Sequence, residues 1–280
     1  MSTLRARQLI ASKLTIPTLP VVLERITALI QDPNSGAGEV GAVVAEDASL
    51  TAKVLKIATS TYYGLREPCF LPQQAASVLG LRVLQNVVRQ AAVIAQYDHL
   101  KGGAFDVDEL WRHSILTGQA CKFLRQRSTK TFGLEAEEIY VCGLLHDIGQ
   151  LVLIDSMREG YVELVQAAER EGLPLHAVEE RELGCSHAHV GGLVAQQWGL
   201  PPQIANTIQS HHGPREAVKC DVLASLVYNV NLIVHRVSEG HSAGAAEVID
   251  HESAAFLGVD PRKVHELIEF IEQSLTSAEA

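Results

Sequence analysis

The chain is 280 residues long and 47% hydrophobic, enough to furnish one large core or two ordinary ones, which excludes a chain disordered over its bulk. Thirty-three acidic against 23 basic residues give a formal charge of −10, which opposes long-range attraction to phosphate backbones and anionic lipid and argues against nucleic acid as the main partner. Cys69, Cys121, Cys142, Cys185 and Cys220 are odd in number and contain no C-x-x-C pair, so they read as buried thiols of a reducing cytoplasm.

In chain order, the opening MSTLRARQLIASKL has basic residues but no continuous apolar run. No stretch reaches the roughly 18 apolar residues of a membrane span, and a soluble, cytoplasmic protein is expected. Apolar residues then recur at helical rather than alternating spacing almost everywhere. Helices are predicted near 20–31, between Pro20 and Asp32-Pro33, and near 36–46, 49–59, 72–79 and 81–98. Gly80 between the last two imitates a helix-turn-helix. Only Arg82 and Arg89 are basic there, so core packing is the better reading.

A composition break follows at Leu100-Lys-Gly-Gly-Ala-Phe105, and Asp106-Val-Asp-Glu109 resembles a capping box that opens a helix to about Arg127. We therefore divide the chain at 103/104. Residues 1–103 form an N-terminal helical lobe and 104–280 a second helical lobe. Further helices are predicted near 135–155, 158–172, 175–183, 186–198, 201–211, 216–238, 243–256 and 261–277. Trp198-Gly-Leu-Pro-Pro202 reads as a stop and restart, and Gly191-Gly192 as a site of close helix approach. Val264, Leu267, Ile268, Ile271 and Leu275 form one stripe behind Asp260-Pro261. The expected fold is an all-α, two-lobed multi-helix bundle.

None of the 12 histidines precedes His99, which confines any metal chemistry to the second half. There His146 and Asp147 sit inside the apolar run YVCGLLHDIGQLVLI, and an imidazole and a carboxylate withdrawn from water need a hydrogen-bond partner or a metal. His113 shares a helical face with Leu110, Thr117 and Leu124 and so points inward. His187, His211-His212 and Asn231 complete the candidate set. Each alone could merely satisfy a buried donor or cap a helix. Together, neutral imidazoles and a carboxylate suit a first-row divalent ion, and a bridging carboxylate between two ions would suit phosphoester hydrolysis. His235, His241, His251 and His265 show no defensible ligand spacing.

The order His113, His146-Asp147, His187, His211-His212 resembles the metal-dependent HD phosphohydrolases, with spacing similar to the HD-GYP cyclic-di-GMP phosphodiesterases. Gln150 stands where HD-GYP proteins carry a Lys, the GYP signature is absent, and the final family Asp falls at Asn231. A neutral amide balances metal charge poorly, and Gln150 offers no cation to an anionic substrate. Asp221, ten residues from Asn231 and about 80° away around an ideal helix, is a poor substitute.

A closer resemblance, over roughly 14–235, is to the HDOD family, a degenerate branch of the HD superfamily. It is carried by LTIPTLPVVLERITALIQDPNSGAGEVGAVVAEDASLTAKVLKIATSTYYG, AASVLGLRVLQNVV, LLHDIGQLVL, ERELGCSHAHVGGLVAQQWGLPPQIANTIQSHH and the stretch around Asn231. The chain departs from it at Glu46-Asp47-Ala48, where an Asp-Pro pair is usual, and at Thr59, where Asn is usual. The resemblance implies a C-terminal HD-like lobe and a non-catalytic signalling protein that acts through other signalling proteins, such as receivers, kinases or cyclic-di-GMP enzymes. The alternative it leaves open is a phosphohydrolase or phosphodiesterase using Fe, Mn, Ni, Zn or Mg on a nucleotide or cyclic dinucleotide.

Overall fold

The computed structural model describes residues 71–213, 221–249 and 251–279 without interruption, residues 35–46 and 48–58, and positions 22, 25, 26, 28, 29 and 32. Most of the helix expected at 20–31, the family positions Asp47 and Thr59, and Cys69 and Cys220 lie outside the described residues. Among the described residues the secondary structure is helical throughout and none forms a strand. They fall into two compact units, one within Thr18–His99 and the other within Leu100–Ala280.

The first unit contains α1 (Ala37–Ala45), α2 (Ala48–Ala58), α3 (Pro72–Leu79) and α4 (Leu81–Gln96). Its core is built by the helical stripes: Val40 and Val44 of α1, Leu50 and Val54 of α2, and Leu84, Val87, Val88 and Ala91 of α4. Gly80 adopts φ 81° between α3 and α4, a conformation that disfavours any side chain. The buried stripe on α4 supplies the core packing expected of 73–92. The side chains of Arg82 and Arg89 lie outside the description.

The second unit opens with α5 (Val107–Arg127), capped where Asp106 accepts the Glu109 N–H at 2.8 Å. α6 (Ala136–Leu145), α7 (Ile148–Met157), α8 (Glu159–Glu171), α9 (Leu175–Leu183), α10 (His187–Gln197), α11 (Pro202–Ser210) and α12 (Val222–Ser238) follow. After them come α13 (Ser242–Ala245), α14 (His251–Leu257) and α15 (Pro261–Glu279). Trp198-Gly199 ends α10 and Pro202 opens α11, as the Gly-Pro punctuation implies. On α15, Val264, Leu267, Ile268 and Ile271 are buried and Leu275 half-buried, so the stripe faces inward. Phe270 stacks on Phe123 at 4.5 Å and Glu266 meets Arg127 at 3.1 Å, which fastens α15 to α5.

Three expectations are corrected. The helix expected at 135–155 is two helices, because the chain turns at His146-Asp147, and that turn is what points the pair into the core. The helix expected at 243–256 is also broken, into α13, a 3₁₀ turn at Ala246–Val248 and α14. One segment, Glu138–Met157, proves long and apolar enough to cross a membrane by length and composition, contrary to the sequence reading. It is 89% buried within the protein, and apolarity of that kind is also what a core segment requires.

Candidate metal centre

Two close helix crossings set the site. A Cβ built on Gly143 would come within 2.7 Å of Gly118 Cα, so α5 and α6 meet backbone to backbone. That contact lies about one turn from His113 on α5 and from His146 at the end of α6. A Cβ on Gly149 would fall on the His187 carbonyl, and one on Gly191 would sit 2.9 Å from Ile208. These glycines draw α7, α10 and α11 together beside Asp147, His187 and His211. Gly191-Gly192 thus acts as the sequence suggested, through close packing.

Asp147 occupies the N-cap of α7, where an Asp ordinarily accepts an N–H of its own helix. It makes no such bond. Its carboxylate turns into the core instead, with Oδ2 at 3.1 Å from His146 Nε2 and 3.9 Å from His113 Nε2. Oδ1 lies 3.1 Å from His187 Nε2 and 3.4 Å from His211 Nε2. His212 Nε2 approaches His187 Nε2 at 2.8 Å, and His113 Nε2 approaches His146 Nε2 at 3.3 Å. Asn231, on α12, adjoins His113. All seven residues singled out from the sequence are therefore brought together. His146 and His211 are 0% exposed, His187 2%, Asn231 3% and Asp147 4%.

The far side of each ring decides its tautomer. His146 Nδ1 and His211 Nδ1 donate to the carbonyls of Gly143 and Ile208, both at 2.7 Å, which turns each Nε2 inward. Burial pushes His211 down to about 4 and His113 down to about 3, and lowers His212 further. At His187 burial also opposes the charge, yet the Glu179 and Asp147 carboxylates outweigh it and raise the ring to about 10. Burial likewise opposes charge on Asp147, and His146 foremost, with His187, overcomes it and holds the carboxyl well below its usual range.

The donor set fits a divalent ion. Asp147 Oδ1, His211 Nε2 and Asn231 Oδ1 are buried without a hydrogen-bond partner. At His211 an unprotonated nitrogen faces a carboxylate oxygen, a repulsive pairing that a cation between them would relieve. The ligand atoms form two groups sharing Asp147, each within 4.8 Å: Asp147, His187, His211 and His212 in one, His113, His146 and Asp147 in the other.

Several participants escaped the sequence reading. His235 stacks on His113 at 4.2 Å and belongs to neither ligand group, so it lies beside the cluster as a packing partner; its position four residues after Asn231, on the same face of α12, was the available signal. His176 stacks on His212 at 4.1 Å. Glu179 accepts both the main-chain N–H and Nδ1–H of His187, and Tyr161 donates to it. Nothing in the local sequence marks Glu179 or Tyr161, because the folding of α8 and α9 against α10 creates these contacts. Asp221 caps α12 by accepting from Leu223 and Ala224, outside the cluster as anticipated.

Residues 16–214 match the profile of the HDOD domain. An uncharacterised protein of Treponema pallidum (strain Nichols) is 29% identical over 223 residues; the match covers 78% of this chain and 42% of that protein's length. Crystal structures that share the fold include the following three. An HDOD domain protein of unknown function from Geobacter sulfurreducens superposes with TM-score 0.80 at 24% identity, covering 98% of this chain and 95% of the other. A candidate phosphohydrolase from Shewanella amazonensis gives 0.77 at 22%, covering 98% and 97%. A candidate signal transduction protein from Marinobacter aquaeolei gives 0.79 at 22%, covering 100% and 65%.

Proposed function

The chain belongs to the HDOD family, and from that premise we propose that it is a regulatory signal-transduction protein whose HD-like cluster holds a divalent ion as a structural pin rather than as a catalyst. Its partners on this reading are other signalling proteins, of the receiver, kinase or cyclic-di-GMP enzyme classes. The likeness to candidate signalling and phosphohydrolase proteins fits either class, so the reading rests on the site's own chemistry.

The observation that carries it is the charge of the cluster. Among the described residues, Asp147 is the one carboxylate against the inward Nε2 atoms, while Asn231 and Gln150 are neutral where the hydrolytic relatives it resembles carry Asp and Lys. A dimetal centre needs more negative charge than one carboxylate supplies, and an anionic phosphodiester needs a cation to receive it. An ion seated between Asp147, His187, His211 and His212 would supply Lewis acidity. The chain's own residues meanwhile join α7, α10 and α11, and exclude water from the joint.

One observation favours the enzyme alternative: Asp147 offers one oxygen to each of two donor groups, the pose of a bridging ligand. The two readings separate on purified protein loaded with Mn²⁺ or Fe²⁺ and screened against phosphodiesters, including cyclic dinucleotides. We expect no turnover above a His146→Ala control. Metal-dependent turnover that this substitution abolishes would make the protein a phosphohydrolase. Saturable nucleotide binding without product would make it a sensor.

A further inference from the structure

Glu179 distinguishes one imidazole from its neighbours. His146 and His211 rest their Nδ1–H groups on neutral backbone carbonyls, whereas His187 rests its own on a carboxylate, with 2.6 Å from Nδ1 to Glu179 Oε2. The same oxygen accepts the His187 main-chain N–H at 2.8 Å, so ring and backbone of that residue are held by one anchor. Oε1 accepts the Tyr161 hydroxyl at 2.6 Å. Glu179 is fully buried, and a buried carboxylate has to be matched by donors or by positive charge. Its three donors orient it, and its charge can be matched through His187, by a proton on that ring or by an ion bound to it.

We infer that Glu179, braced by Tyr161, is a positioning residue of the four-ligand group: it fixes His187 with Nε2 toward Asp147 and His212, and supplies through that ring the second negative charge a divalent ion requires. This inference rests on the reading that the cluster holds such an ion. Asp147 contributes one charge from within the group, and Glu179 adds the other through His187. Hydrogen bonding to a carboxylate also makes His187 a stronger donor than a ring resting on a carbonyl. The charge balance therefore favours one ion, in the group containing His187, over two.

The test is Co²⁺ uptake by the full chain, read as affinity by chelator competition and as the visible ligand-field spectrum, for the parent, Glu179→Gln and Tyr161→Phe. Glutamine keeps the shape but loses the charge and cannot accept from all three donors. We expect one Co²⁺ per parent chain, an affinity about 10–100-fold lower in Glu179→Gln with an altered spectrum, and a smaller loss in Tyr161→Phe. Circular dichroism reports whether each variant folds. Should Glu179→Gln fail to fold, Tyr161→Phe decides, since it keeps the carboxylate and removes one brace. Parent-like affinity and spectrum in the folded variants overturn the inference while leaving metal binding intact. No uptake by the parent overturns both.

Discussion

Individual side chains explain how ionisable groups persist inside this protein. In the metal-free state, unfolded histidines titrate near 6.5 while His113 and His211 are held at about 3 and about 4. Between those values the unfolded chain binds protons that the native rings refuse, so stability falls as pH drops below about 6.5. Asp147 adds to the loss at the acid end, where protonation removes its partners' advantage. His187, raised to about 10, acts in the opposite direction: its contribution is complete below 6.5 and disappears as pH rises toward 10. Chelator-treated protein should therefore melt highest near pH 6.5 and lower on both sides. A melting temperature that climbs steadily from pH 6.5 to 9 would contradict the assigned environment of His187.

The cysteines provide a second prediction at this scale. Burial raises the Cys121 and Cys142 thiols far above their usual range, and burial together with Glu179 and Glu180 raises Cys185 to about 11. Because the thiolate is the reactive species, all three should resist iodoacetamide at pH 8 in the native protein and react once it is unfolded in guanidinium. Peptide mapping by mass spectrometry reads each site separately.

Among the helices, the decisive residues have no side chain. Gly149 and Gly191 permit the approach that delivers Asp147 to His187 and His211, and neither has room for a methyl group. Gly149→Ala should cost at least the roughly 1–3 kcal/mol typical of overpacking, and should also weaken metal uptake because it displaces the His187 backbone. Gly38, on the exposed face of α1 with open space around its Cβ position, is the control. Gly38→Ala should be neutral or stabilising by up to about 1 kcal/mol, since alanine loses less entropy in a helix. Denaturant melts of the two variants measure both effects.

For the whole molecule, the described residues form two units, each with its own apolar core, and the histidine cluster belongs to the one within Leu100–Ala280. If an ion pins helices there, its removal acts where the ligands are. Hydrogen exchange with and without chelator should show faster exchange in α5, α6, α7, α10 and α11, with little change in α1 through α4. Acceleration confined to α1–α4, or none anywhere, would remove the structural role proposed for the ion.

How much of this was legible in the chain follows from the range of the forces involved. Helical periodicity is local, so the all-α class, the capping at Asp106, the Pro202 restart and the inward stripe of α15 could be read directly. The polar set His113, His146, Asp147, His187, His211, His212 and Asn231 was legible because charged and polar groups placed in apolar helices have to find one another. The turn at His146-Asp147 was not, since the residues around it are apolar on every side and periodicity continues across the break. Glu179, Tyr161 and His235 were hidden for a related reason: their roles arise only where separate helices cross, and no residue's near neighbours encode which helix will lie opposite. Sequence alone thus determined most of the helices, though not where two of them break, and the polar inventory. Tertiary packing, through glycine-sized crossings and a carboxylate withdrawn from its own helix cap, decided which atoms face one another.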